Sequence, residues 1–423
     1  MIKAIRGFRD VLPEETQKWQ LMETKAREVF GSFGFREIRP PLLEKTDLFL
    51  RAIGEATDIA EKEMYTFTDR NGESVTLRPE ATASVLRAFI EHSLYSQERV
   101  HKLYTIGPMF RHERPQKGRH RQFHQMNAEA IGEESPLADA EIIAVAMRIM
   151  GVLCVENKEL QMNSLGCSKC RPQYRQELQV FLEEKKDELC PDCRRRAQTN
   201  PLRVLDCKVE ECKAALGGVP LILNRLCPEC TRHFETVQKY LTSFGISFSV
   251  NPLMVRGLDY YSRTTFEIVS SALGAQSAIA AGGRYDRLIK DLGGPELPGI
   301  GFAIGMERLF LLLGASEAGA EPLLFVAALG EKAFELAVRI VYEARLAGVR
   351  AEMEYDVSSM KSQMRRANKL GAQLVLIVGD EELASGKIIV RDMKTARQWN
   401  VPLDSDVAAF VRGIGDELRR SVR

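Results

Sequence analysis

Between Phe110 and Gln125 the chain reads FRHERPQKGRHRQFHQ, in which five of sixteen residues are Arg or Lys and three more are His. The whole 423-residue chain has a net charge of only +1, so this is a local concentration of positive charge. Arg presents planar, bidentate donors that match phosphate, and Phe123 offers a face on which a flat base can stack. These residues therefore suit a polyphosphate that carries a base. Arg111 and Glu113 are two apart, so on extended backbone they face the same side. They point together into a pocket at the base of the loop. Gln125 enters it from the returning strand, and Glu129, four residues on, shares the face of Gln125. A hairpin whose charges are merely solvated is the alternative.

Three further stretches could line the same pocket. Gly299-Ile300-Gly301-Phe302-Ala303-Ile304-Gly305 is a glycine-punctuated strand that runs into a helix carrying Arg308. Glycine allows close backbone approach to a ligand, and a helix N-terminus favours anions. A tight packing turn would explain the glycines, but not Arg308 in a first helical turn, where the macrodipole prefers an acid. Arg256-Gly257-Leu258-Asp259-Tyr260-Tyr261 sets paired tyrosines beside an Arg and an Asp, either to hold a polar ligand or to form an aromatic core corner. Ala281-Gly282-Gly283-Arg284-Tyr285-Asp286 is a second glycine approach to a pocket wall, or an ordinary hairpin turn.

Several elements must position these groups. Pro13 opens a helix on which Trp19, Met22, Ala26, Val29, Phe30 and Phe33 recur at helical spacing, and Gly34 ends it. Glu37 to Leu43 reads as a strand broken by Pro40 and Pro41, which belongs at a sheet edge or an interface. Met64–Thr68 and Ser74–Leu77 flank Asp69-Arg70-Asn71-Gly72, a hairpin turn. Strands around Tyr104–Ile106 and Met126–Ile131 bracket the basic loop, and helices are expected over Ala83–Ile90 and Leu137–Val152. Strands resume after Phe248, with Thr265–Ser270 and Ala278–Ala281. Beyond the small, polar linker 314–321, strands and helices alternate over about 100 residues, which predicts a separate α/β domain.

Composition narrows the class. Hydrophobic content of 45% and charged content of 28% are those of a globular protein. No run of eighteen apolar residues suggests a membrane span, and the N-terminus lacks an apolar leader, so a cytoplasmic enzyme is expected. Near-neutral charge gives no general attraction to DNA or RNA, leaving only local patches such as the opening loop. In the α/β domain Lys361, Arg365, Arg366 and Lys369 share one helix face, either as a solvated surface or as a contact for RNA phosphates.

Eight of the nine cysteines fall in four pairs within residues 166–240, a largely helical stretch that reads as an inserted module. The pairs are Cys167 with Cys170, Cys190 with Cys193, Cys207 with Cys212, and Cys227 with Cys230. Three have the knuckle spacing of tetrahedral Zn²⁺ ligands. In a reducing compartment they are metal ligands or free thiols, not a disulfide framework. Eight ligands allow two four-cysteine sites, or one site with spare thiols; reduced, unligated cysteines are the alternative. Cys154 stands apart and is expected to be a buried core thiol.

Taken in order, the basic hairpin, Arg-Gly-Leu-Asp-Tyr-Tyr, Gly-Gly-Arg-Tyr-Asp and the glycine strand with Arg308 resemble one family over nearly the whole chain, the histidine–tRNA ligases, which are class II aminoacyl-tRNA synthetases. Phe35–Leu43, Phe110–Gln125 and Gly299–Leu309 match the three motifs of that class, and the two Tyr-containing stretches single out histidine. The resemblance implies an antiparallel-sheet catalytic domain in two parts (1–165 and 241–318), a helical Cys-rich insertion (166–240) that clasps the tRNA acceptor arm, and a C-terminal α/β anticodon-binding domain (321–423). The fold class implied is mixed, α/β and α+β, and the assembly a homodimer. ATP and Mg²⁺, L-histidine and tRNA(His) are the implied ligands. By resemblance Arg111 holds the α-phosphate, Arg308 the far phosphates, Phe123 and Glu113 the adenine end, and Arg256 acts as an extra catalytic cation. Glu129, Tyr261 and Tyr260 meet the histidine ring, and Glu80, Thr82 and Gln125 its α-amino group. The loop tip, from Arg114 and Gln116 to Arg121, is expected to leave the small-molecule site and reach for tRNA. Two rivals stand beside this reading: a histidine-binding regulatory subunit without ligase activity, and a zinc-dependent RNA-binding module.

Overall fold

The computed structural model describes residues 2–54, 57–274, 278–314, 323–403 and 406–421. The chain divides into two compact units, Met1–Ala315 and Ser316–Arg423. Most of the expected linker, residues 315–321, lies outside the described residues.

In the first unit, α1 (Pro13–Ser32) is followed by β1 (Arg36–Glu37), β2 (Leu43–Lys45), α2 (Thr46–Ile53), β3 (Tyr65–Thr68), β4 (Ser74–Leu77) and α3 (Thr82–Glu91). Next come β5 (His101–Phe110), β6 (Gln122–Ile131), α4 (Pro136–Val152) and β7 (Lys158–Ser164). The helical stretch holds α5 (Arg171–Glu184), α6 (Pro191–Thr199), α7 (Glu210–Ala215) and α8 (Pro228–Ser243). The unit closes with β8 (Ser249–Val250), β9 (Ser262–Ser270), β10 (Ala278–Arg284), α9 (Leu288–Asp291), β11 (Gly299–Gly305) and α10 (Met306–Leu312).

Eight strands form one sheet in the order β1-β5-β6-β11-β10-β9-β7-β8, antiparallel except for the short edge pairs β1 with β5 and β7 with β8. The proline-broken strand is two pieces: β1 at the edge of this sheet and β2 in a separate three-stranded sheet with β4 and β3. Pro40 and Pro41 offer no N–H to a ladder. The carbonyl of Pro40 instead takes a hydrogen bond from the buried Arg78, which also donates to Pro108. Period-two alternation sorts the sheet. Met126, Ala128 and Ala130 of β6 and Ile300, Phe302 and Ile304 of β11 enter the core with Trp19, Met22 and Phe30 of α1 and the apolar face of α4. The intervening residues are left for a cavity. The helical pieces that went unread in the sequence include α2, a π-helical turn at Ile59–Glu63 and the short α9.

One buried ionic cluster ties these layers together. Asp139 of α4 and Arg284 of β10 have fully buried side chains and pair at 2.9 Å. The other Asp139 oxygen meets Nε2 of His233 on α8 at 2.8 Å, and Arg284 also reaches Asp286. Burial alone would raise the Asp139 carboxyl, but Arg284 and His233 outweigh it and hold it below its ordinary value.

In the second unit β12 (Leu323–Leu329), α11 (Glu331–Leu346), β13 (Arg350–Met353), α12 (Met360–Lys369), β14 (Leu374–Gly379), α13 (Asp380–Ser385), β15 (Lys387–Asp392), β16 (Gln398–Pro402) and α14 (Val407–Ser421) follow in order. The sheet order is β13-β12-β14-β15-β16, parallel across its first three strands. The alternation matches the expectation except for α13, a two-turn helix too short to show a period. Arg366, on the basic face of α12, bonds Glu354 at 2.8 Å.

Removing one member of a buried pair strands the other's charge. Asp139→Asn should therefore cost ~3–5 kcal/mol, read by urea unfolding through Trp19 fluorescence in a Trp399→Phe background. A midpoint unchanged from the parent would show the pair to be dispensable.

Candidate active site

A cavity of about 510 Å³ opens on the face of the large sheet that the core leaves free. Its floor is made by the alternate residues of β6, Gln125, Asn127 and Glu129, and by Gly301, Ala303 and Gly305 of β11. The basic loop forms one end, with Arg111, Glu113 and Phe123 on the lining and Arg308 beside them. Arg256, Tyr260 and Tyr261 form the other end, and Glu80 and Thr82 enter from the start of α3. The four motifs thus converge on one space.

Glu129 is the centre of the end away from the basic loop. It is 1% exposed and accepts hydrogen bonds from Thr82 Oγ1 and the Tyr285 hydroxyl, both at 2.6 Å. Burial, with no cation beside it to compensate, pushes its carboxyl up to about 8. A β-carbon at Gly301, directly across the ladder, would overlap the Glu129 carboxylate, and one at Gly299 would overlap the Tyr285 ring. These two glycines make room for side chains, a role the sequence reading did not give them, while Gly301 also lines the cavity floor. Glu80 caps α3: its two oxygens accept from the Thr82 and Ala83 N–H groups at 2.8 Å. Burial raises the Glu80 carboxyl, and those two N–H bonds hold the rise back.

The other end is cationic. Arg111 Nε donates to the carbonyl of Pro79 at 2.8 Å, which fixes its guanidinium over the Phe123 ring, 5.3 Å from the centroid. Arg308 donates to the carbonyl of Ala278. Burial lowers the affinity of Arg111, Arg119 and Arg308 for their protons, and Arg111 adds repulsion at the other two. Preorganised cations crowded together in a desolvated site favour a polyanion. Arg256 is tied to Glu267 and lies 6.0 Å from the Tyr261 ring. Gln125 Oε1, Asn127 Oδ1 and Arg256 Nε are buried with no partner among the described residues, as expected of atoms that await a ligand.

The loop tip departs from expectation. Arg114, Gln116 and Lys117 are exposed, but the chain turns back at a Gln116–Arg119 bridge. Arg119 pairs with Glu113 and lines the cavity with His120, so only the outermost residues face away. The sequence reading also missed Glu267, Glu307 and Arg203. Glu307 is the acid that the α10 macrodipole prefers, and it accepts the His124 N–H. Glu267 has the cavity-side parity of β9. Arg203 arrives from the helical stretch and carried no local signal.

Eight of the cysteines also gather, whereas Cys154, expected in the core, is exposed. Cys167, Cys170, Cys227 and Cys230 form one group, and Cys190, Cys193, Cys207 and Cys212 another. Within each, the sulfurs all lie within 4.8 Å of one another. Among the described residues no helix is long and apolar enough to cross a membrane.

Residues 7–309 match the family model described as histidyl-tRNA synthetase, and residues 324–412 match that of an anticodon binding domain. A histidine–tRNA ligase of Geobacter sulfurreducens is 54% identical over 409 residues, covering 97% of this chain and 99% of the relative. One of Desulfatibacillum aliphaticivorans is 54% identical over 406 residues, covering 96% and 97%. The crystal structure of apo histidyl-tRNA synthetase from S. aureus superposes with a TM-score of 0.82 at 37% identity, covering 97% of this chain and all of the other. A Bacillus halodurans structure described as an ATP phosphoribosyltransferase regulatory subunit/histidyl-tRNA synthetase gives 0.63 at 19% identity, covering 90% and 98%, a likeness of fold alone.

The Glu129 carboxyl binds its proton more tightly in the folded protein than in the unfolded chain. Its contribution to stability is full below the ordinary value of 4.5 and is lost as pH rises through about 8. Wild type should therefore lose thermal stability relative to Glu129→Gln between about pH 5 and about pH 9. A difference between the two that does not change with pH would refute a raised carboxyl.

Proposed function

The chain belongs to the histidyl-tRNA synthetase family, and we propose that its cavity works as follows in the ATP-dependent attachment of L-histidine to tRNA(His). ATP enters as its Mg²⁺ complex. Glu113 is held by Arg119 and Glu307 by His124, so the cavity presents arginines rather than free carboxylates to the phosphates. Arg111 takes the α-phosphate, Arg308 the far phosphates, and Phe123 stacks on adenine, with Glu113 at the adenine end. The histidine carboxylate attacks the α-phosphorus in line and displaces diphosphate. Arg256, steadied by Glu267, supplies positive charge as charge grows on the phosphoryl oxygens. The adenylate then passes its acyl group to the 3′-OH of the terminal tRNA adenosine and releases AMP.

Histidine is selected at Glu129. Its carboxyl, pushed up to about 8 by burial, and an imidazole of ordinary value about 6.5 compete for one proton. Whichever keeps it, a hydrogen bond joins them, and Tyr261 and Tyr260 close on the ring. Thr82, Glu80 and Gln125 take the α-amino group. An apolar side chain would leave these buried groups unpaired, on the order of a 10⁴-fold penalty, so no editing site is required.

The observation that supports this reading best is that Arg111, Arg256 and Arg308 share one cavity with the Glu129–Tyr285 pair. It also favours a working ligase over a regulatory subunit. Zinc held by the cysteines would be structural and outside the chemistry. The edge position of β1, with Leu42 and Leu43 each 41% exposed beyond it, favours a homodimer through that face. Binding of tRNA by the second unit and a cytoplasmic location complete the reading.

Histidine-dependent ATP–pyrophosphate exchange tests it; exchange that ignores histidine, or none, overturns it. Arg256→Ala should slow exchange by ~10²-fold or more while ATP binding weakens little, and equal losses in both would end the catalytic role. Arg114→Ala and Gln116→Ala should impair transfer to tRNA and leave exchange intact. A parallel loss of exchange would place those residues in the small-molecule site instead.

A further inference from the structure

Each cysteine group has the shape of a metal site before any metal is added. A tetrahedral Zn²⁺ with Zn–S bonds of ~2.3 Å sets its sulfurs about 3.8 Å apart. Cys167 Sγ lies 3.6 Å from Cys170 Sγ and 4.0 Å from Cys227 Sγ, and no pair in either group exceeds 4.8 Å. Backbone N–H groups already point at the sulfurs, from Cys227 to Cys170 and from Cys190 to Cys212, both at 3.1 Å. Such donors stabilise thiolate ligands. Five of the eight cysteines are buried. We propose that the helical stretch binds two Zn²⁺ ions, each in an all-cysteine site, and that the second ion braces the wall of the active-site cavity.

The pairing of the four motifs is nested. Cys167 and Cys170 precede α5, and Cys227 and Cys230 open α8, so the first ion fastens the two ends of the stretch. The second is held by Cys190 and Cys193 at the start of α6 and by Cys207 and Cys212 around the start of α7. Between those ligands the chain makes its contacts with the rest of the site. Arg196 bonds Asp58 at 2.9 Å, Arg203 reaches the same carboxylate at 3.4 Å, and Asn200 bonds Asp259 at 2.8 Å. Asp58 directly precedes the π-helical turn, whose Glu63 carbonyl accepts the His112 N–H of the basic loop at 2.7 Å. Arg203, Asp206 and Lys208, flanking Cys207, line the cavity itself. A metal that fixes Cys207 relative to Cys190 therefore fixes this wall. The coupling rests on the adenylate reading of the cavity; the metal sites do not.

Elemental analysis of the full chain, purified without chelators, should give about two zinc ions per chain. Cys212→Ser should hold one, and Cys212→His, which restores a ligand, should hold two. With the second ion lost, exchange should fall by ~10-fold or more and recover in the His variant. Should the Ser variant not fold, the wild type still decides. Once the exposed Cys154 is consumed, a mercurial reagent should release one zinc for every four thiols blocked. Protein without stoichiometric zinc, iron in its place, or thiols that react without zinc release would overturn the sites. Two ions whose second can be lost with exchange unchanged would overturn the brace. Histidine-dependent exchange in zinc-free protein would leave the ligase reading standing, and zinc without such exchange would do the reverse.

Discussion

The pairing of Asp139 with Arg284 in the dry centre of the first unit is the contact on which its layers depend. Neither charge reaches water, so each is tolerable only because the other is present. The pair draws α4 onto the sheet, and through His233 it draws α8 onto α4. Arg284 is followed by Tyr285, whose hydroxyl supports Glu129. An ion pair in the interior thus helps set the position of Glu129, the residue proposed to meet the histidine ring. Specificity and packing are two ends of one network.

The cavity stands in the opposite condition. Its cations are crowded and partly desolvated; Arg119 pairs with Glu113 and Arg256 with Glu267, yet Arg111, Arg119 and Arg308 repel one another across it. Hydrogen bonds donated to main-chain carbonyls, at Pro79 and Ala278, hold two of them in place. Carbonyls orient a guanidinium without cancelling its charge. In the proposed function a polyphosphate enters this space, and it meets cations that folding has aligned in advance.

Much of this was legible in the sequence because its signals are local. The hairpin around the basic loop, the helical stripe of α1 and the alternation of the second unit are patterns within ten or twenty residues. The pocket residues of β6 follow from parity, since Gln125 and Glu129 differ by an even step. The parts that escaped depend on distant partners. Nothing near Gly301 announces that its missing side chain is for Glu129, and nothing near Arg203 points to a cavity built by strands on either side of it. The return of Arg119 to Glu113 follows from a turn whose Gln116–Arg119 bridge no motif encodes. The family resemblance named the cavity residues but not Glu267 or Tyr285, which hold them.

The strand order has a consequence for how the chain is made. β6 lies between β5 and β11, yet about 170 residues separate its end from the start of β11. At ~5–20 residues per second, a ribosome needs on the order of ten to thirty seconds to cover that distance. Over that interval the β6 ladder presents an open row of N–H and C=O groups, the kind of edge that captures stray strands. The helical stretch emerges within the same interval. The outgoing polypeptide therefore carries an unfinished sheet whose last seam closes only after residues 299–305 appear, and nascent chains of this protein are expected to be most dependent on chaperones just before that point.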